Sequence, residues 1–186
     1  MGAGQRLWPV HAVERIDRRP AFRAAPGDHE GQLPPRLSAR RLSYGMARLG
    51  QLLRSKDALA SFEVGPNPFA GGPYADRVRH VATLLRGRTL LVFFTGIGDT
   101  PERVMLSTID LAGDWKSWKA SPPVELLRPE APYECPGLPN EPSAGEIEGP
   151  ARQLRDPAIF EEAGKTYLFY SICGEQGLAA AQLTFR

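Results

Sequence analysis

Two carboxylates, two arginines and a histidine stand where this sequence could do chemistry. Asp156 sits between Arg155 and Pro157, and Glu148 lies eight residues before it in the Gly145–Pro150 run. Arg79-His80 opens an earlier apolar run just as Arg155-Asp156 opens a later one. A pair of carboxyl groups can divide acid and base work when their surroundings push the two pKa values apart. Asp156 and Glu148 are carboxyl groups that could share such work, and Arg79, His80 and Arg155 are the candidate substrate-binding groups at the two openings. Each also has a plain structural reading: Asp156 capping a strand turn beside Arg155, Glu148 as a solvated loop acid, His80 as a core histidine.

Other chemistries find no support. There is no Gly-rich phosphate loop, HExxH or GxSxG. Asp28, His29 and Glu30 are consecutive, so in an extended segment they point to different sides and read as a surface loop. Cys135 and Cys173 form no CxxC and have no histidines at metal-ligand spacing. Free thiols are the default for them, a disulfide the other option. No metal and no cofactor is expected.

The elements that must position these residues read as strands. Lys165 to Tyr170 is a short apolar and aromatic run opened by the turn signal Ala163-Gly164, and Gly177 to Leu183 follows as a further run. Alternation over such short stretches indicates hairpins. The same pattern appears earlier in Val78–Leu85, Thr89–Thr95 and Arg103–Asp110. Arg79-His80 matches Arg155-Asp156, and Gly87-Arg88-Thr89 matches Gly164-Lys165-Thr166. A half-buried meander cannot hide its apolar face alone, so two such units suggest repeated blades. Residues 42–62 resemble the closing half of another blade, and Val64 to Gly72 reads as a connection. Trp115 and Trp118 are expected to pack over a blade edge, and Pro122 to Gly149 is a long, proline-rich insertion.

The RDPAIF opening, the GKTYLFYS run and the closing GLAAAQL resemble a blade of the five-bladed β-propeller glycosidases, the superfamily of glycoside hydrolase families 32 and 43. RHVATLL, GRTLLVFF and ERVMLSTIDL resemble a neighbouring blade. The resemblance implies an all-β fold, a partial propeller of about two and a half blades over 42–186. It implies a carbohydrate ligand, with Asp156 in an RDP motif stabilising positive charge at the transition state. Glu148, in a Glu-Gly-Pro motif, would be the general acid. Because the chain shows too few blades for a full site, the implied protein is glycoside hydrolase-like and inactive alone. A non-catalytic carbohydrate-binding or assembly module is the alternative.

Composition sets the remaining bounds. The 19 glycines and 18 prolines suit a turn-rich β protein. Residues 1–60 carry 11 of the 23 basic and only 5 of the 21 acidic side chains. This Arg- and Pro-rich head, residues 1–41, reads as an irregular solvated segment, without the motifs of a nucleic-acid binder. No segment has the length of a membrane span and no apolar leader is visible, which makes a cytoplasmic placement the simplest. Open sheet ends must be covered by self-association, by the N-terminal arm wrapping back, or by more chain.

Overall fold

The computed structural model describes residues 10–15, 42–56 and 61–185. The rest of segment 1–41, with Asp28-His29-Glu30, lies outside the described residues. The fold is all-β. Its eleven described strands are β1 (Val10–Arg15), β2 (Ser43–Met46), β3 (Leu52–Ser55), β4 (Glu63–Val64), β5 (Val78–Arg86), β6 (Thr89–Gly96), β7 (Val104–Asp110), β8 (Val124–Leu127), β9 (Arg155–Glu162), β10 (Lys165–Ile172) and β11 (Gly177–Phe185). They form three antiparallel sheets, ordered β2-β3-β4, β5-β6-β7-β8 and β1-β11-β10-β9, with no closed barrel.

The middle sheet is the meander expected from Val78 to Asp110, with a fourth strand added. Thr89 to Thr95 is rich in β-branched and aromatic residues, which suit a pleated, buried surface. Leu91, Val92, Phe93 and Phe94 are all fully buried. β8 comes from the stretch expected to be a bare insertion; it pairs with β7 through Val104↔Leu127 and Leu106↔Val124. Trp115 and Trp118 pack with Leu52, Phe69, Tyr74, Val92 and Phe94 in a core between the N-terminal and middle sheets. A second core, between the middle and C-terminal sheets, joins Leu84, Leu91, Phe93 and Leu106 to Leu154, Leu168, Tyr170 and Leu183.

The structure shifts the internal repeat by one residue in its second strand. In the two hairpins Arg86 pairs with Thr89 and Glu162 with Lys165. Gly87 is thus equivalent to Ala163 rather than Gly164, and Leu91 to Tyr167 rather than Leu168. Ala163 takes a left-handed φ of 49° and Gly164 one of 75°, a turn that single-sequence matching of glycines misplaces. Because strand side chains alternate, this one-residue shift exchanges the two faces of β10.

The C-terminal sheet is completed from the other end of the chain. β1 pairs antiparallel with β11, Val13 opposite Leu183 and Arg15 opposite Ala181. Part of the basic head is therefore strand, and the N-terminal arm does wrap back. The loop after β8 is also anchored. Cys135 and Cys173 are disulfide-bonded, with Cα atoms 5.3 Å apart, which corrects the default expectation of free thiols. Beside them the buried Glu134 carboxylate accepts the Tyr170 hydroxyl at 2.8 Å and the backbone N–H groups of Glu130 and Ala131. Residues 38 apart in sequence cannot announce their proximity through local spacing.

Candidate functional site

Two equivalent irregularities aim the site residues. In the C-terminal sheet, Phe169 pairs with Ala158 and Ser171 with Arg155, so β9 carries one extra residue at Asp156-Pro157. In the middle sheet, Phe94 pairs with Val81 and Gly96 with Val78, leaving an extra residue at Arg79-His80. Such bulges bend a strand and redirect its side chains. Pro157 helps to fix the first, since proline has no N–H to give the ladder. Asp156 itself sits at φ 48°, a left-handed conformation that aspartate tolerates better than most residues.

The bulges bring His80 and Asp156 together. His80 Nδ1 lies 2.7 Å from Asp156 Oδ1, with both side chains 41% exposed. Ser171 donates its hydroxyl to Asp156 Oδ2 at 2.8 Å. Its contact with the His80 imidazole, then the Ser171 hydrogen bond and the Arg155 charge, hold the Asp156 carboxyl below the usual carboxylate range. The imidazole is turned so that its Nδ1 edge faces the carboxylate.

The two arginines lie beneath this pair. Arg79 and Arg155 are both buried, and both engage Glu102, which is 1% exposed. Arg79 Nε is 3.1 Å from Glu102 Oε1, and Arg155 Nε is 3.2 Å from Glu102 Oε2. Thr95 donates to Glu102 Oε1 at 2.7 Å. Arg155 further donates to Gln153 Oε1 (2.9 Å), Glu175 Oε1 (2.7 Å) and the Ser143 hydroxyl (2.7 Å). Arg79 donates to the carbonyls of Gly145 and Ser143. Burial pushes the Glu102 carboxyl up, opposed by Thr95 and the two guanidiniums, and pushes Arg79 down. Opposite charges held this close in a dry setting make a rigid platform, and removing one member would leave its partners uncompensated.

Of the sequence candidates, then, His80 and Asp156 meet at a water-accessible surface, while Arg79 and Arg155 are enclosed under it. Glu148 is exposed and has no ion pair among the described residues, although the 143–145 segment just before it is clamped by both arginines. Glu102, Ser171 and Glu175 were not singled out from sequence. Glu102 and Glu175 both fall in the turn between the second and third strands of their sheets, so completing the repeat through its turns could have exposed them. Among the described residues no group of three or more His, Cys, Asp or Glu could hold a metal ion. A cavity of about 210 Å³ lined by Phe69, Tyr74 and Pro122 contains none of these residues.

Among the described residues no helix is long and apolar enough to cross a membrane. No family model matches the chain. It is similar to "Uncharacterized protein R118" of Acanthamoeba polyphaga mimivirus, 38% identical over 152 residues, covering 75% of this chain and 43% of that protein. The chain thus spans less than half the length of this relative.

Proposed function

We propose that this chain is a glycoside hydrolase-like partial propeller that recognises a carbohydrate at the His80–Asp156 surface and does not cleave it alone. The observation that carries this reading is the placement of a half-exposed imidazole–carboxylate pair on a buried Arg79–Glu102–Arg155 platform. An ionised carboxylate with an oriented imidazole offers the mixture of acceptor and donor that sugar hydroxyls require, and the platform preorganises it. The resemblance of the Arg155-Asp156-Pro157 opening to family 32 blades points the same way.

Hydrolysis needs a second carboxyl group within roughly 5–10 Å of the first, on the far side of the scissile bond. Glu102 is sealed between two guanidiniums and cannot reach a substrate, and among the described residues Glu148 has no ion pair that would fix it opposite Asp156. These facts favour the binding module over the complete hydrolase. The disulfide favours an oxidising compartment over the cytoplasm that the sequence alone suggests.

Equilibrium binding of the wild-type chain and Asp156→Asn to a panel of mono- and oligosaccharides tests the reading. The expected result is sugar binding by the wild type, lost at least tenfold in the variant, with no release of product from aryl glycosides. Equal binding by both proteins, or no binding to any sugar, would overturn it.

A further inference from the structure

The turn between β10 and β11 departs from the repeat at one residue, and that residue is a half-cystine. Counting on from the equivalence of Leu91 with Tyr167, Ile97 matches Cys173 and Gly98 matches Gly174. Both glycines take a φ of 77°, but Cys173 takes 51° where Ile97 has no positive φ. Its partner, Cys135, also stands at φ 56°. A residue with a Cβ disfavours this left-handed region. Such outliers persist only where the surroundings enforce them, and they gather at switch regions. Both cysteines are partly exposed, as attack by a thiol requires.

The same turn carries part of the clamp on Arg155. The Cys173 carbonyl accepts the Ala151 N–H at 3.1 Å, and Gly174 donates its N–H to the Gln153 carbonyl at 3.2 Å. Gln153 Oε1 accepts from Arg155 Nε at 2.9 Å, and Glu175 Oε1 accepts from Arg155 Nη1 at 2.7 Å. Two side-chain partners of Arg155 thus belong to, or hang from, the segment that the disulfide fixes. The other end of the bond has a second anchor. Cys135 follows the short turn Pro132–Glu134, whose buried Glu134 carboxylate accepts the Tyr170 hydroxyl at 2.8 Å. Cutting the sulfur bridge therefore leaves the Cys135 side docked and frees mainly the 173–176 turn.

We propose that Cys135–Cys173 is a reversible thiol–disulfide exchange site, opened by a dithiol reductant, whose reduction loosens the 173–176 turn and with it the Arg155 clamp beneath Asp156. A thiolate of the reductant attacks one sulfur, and the other leaves as a thiolate that takes up a proton. The reductant's second thiol, giving up its proton, then attacks the mixed disulfide. The protein gains two electrons and two protons, and the dithiol becomes a disulfide. Cys173 is then free to leave its left-handed backbone, and Gln153 and Glu175 lose the fixed turn that aims them at Arg155. Closed in an oxidising compartment and open in a reducing one, the bond makes the order of the site depend on where the chain resides. The switch lies in the chain's own structure and operates whether or not a sugar binds at His80 and Asp156.

Hydrogen exchange of the full chain, oxidised and after equilibration with excess dithiothreitol, tests this by NMR without any ligand. On reduction, exchange at the Ala151 and Gly174 amides and at the Arg155 Nε–H should accelerate at least tenfold and return to its starting rate on reoxidation. The buried β6 amides of Val92 and Phe93 should keep their protection. Cys135→Ser with Cys173→Ser should show the same local pattern in the absence of reductant. Unchanged exchange at Gly174 or at the Arg155 Nε–H would overturn the proposal. So would loss of protection across β6, which would make the bond a staple of the whole fold, or a bond that the dithiol cannot open in the folded chain.

Discussion

The middle and C-terminal sheets are built from one pattern and have different neighbours. Both open with Arg at a bulge, turn through a two-residue hairpin and return through a third strand. β6 is buried on both faces, whereas β10 alternates between a buried face of Thr166, Leu168 and Tyr170 and a half-open face of Tyr167 and Phe169. The sequences foreshadow this. LLVFF is apolar throughout, as in a strand enclosed on both sides, while KTYLFYS starts with an exposed lysine and alternates buried and partly exposed side chains through Tyr170. Each of the two sheets has a fourth strand on its outer edge. The middle sheet's β8 follows β7 locally, whereas the C-terminal sheet's β1 comes from the other end of the chain, and the Cys135–Cys173 bond adds a tie at the C-terminal sheet's turn.

Truncating equivalent phenylalanines should break the symmetry most visibly. Phe93→Ala opens a cavity in a closed core and is expected to cost about 3–5 kcal/mol. Phe169→Ala removes a half-exposed ring and should cost no more than about half as much. Denaturant midpoints of the two variants check this; equal losses would show that the sheets are equally enclosed. Removing the disulfide with Cys135→Ser and Cys173→Ser together releases a 38-residue separation and should lower stability by up to about 4 kcal/mol on the chain-entropy account. Comparison with the reduced wild type separates this from the effect of serine.

A smaller effect sharpens the comparison at the strand openings. Asp156 has a folded pKa below its unfolded value of about 3.9, so the unfolded chain takes up the proton first as pH falls. Its contribution is fully present above that value and is lost as pH drops through the folded pKa. Asp156→Asn should therefore be less stable than wild type at pH 6, with the difference shrinking below about pH 4. A gap that stays constant with pH would mean that Asp156 acts through shape alone. Smallest of all, Leu178→Ser should change monomer stability by no more than about 0.5 kcal/mol, because its side chain is already solvated.

Much of this architecture was legible because its signals are local. The apolar alternation of Thr89–Thr95 and Lys165–Tyr170 marked the strands, and the matching Arg79-His80 and Arg155-Asp156 openings marked the point where two strands converge. What escaped depended on contacts far apart in sequence. β1 pairs with a strand at the opposite end of the chain, and β8 hides in a proline-rich stretch whose pairing only β7 reveals. The Glu102 carboxylate follows a turn and looks like any surface acid until two arginines close on it. The face of β10 depended on a single residue of hairpin register, which matching Gly87 to Gly164 could not resolve.

The most direct test of the functional reading uses the three histidines of the chain, His11, His29 and His80. Side-chain imidazole resonances can be followed by NMR while a sugar found to bind is titrated in. The account predicts that the His80 signals move and saturate with the binding isotherm, and that Asp156→Asn abolishes the shift. Saturable sugar binding that leaves the His80 imidazole unperturbed would place the ligand elsewhere and contradict it.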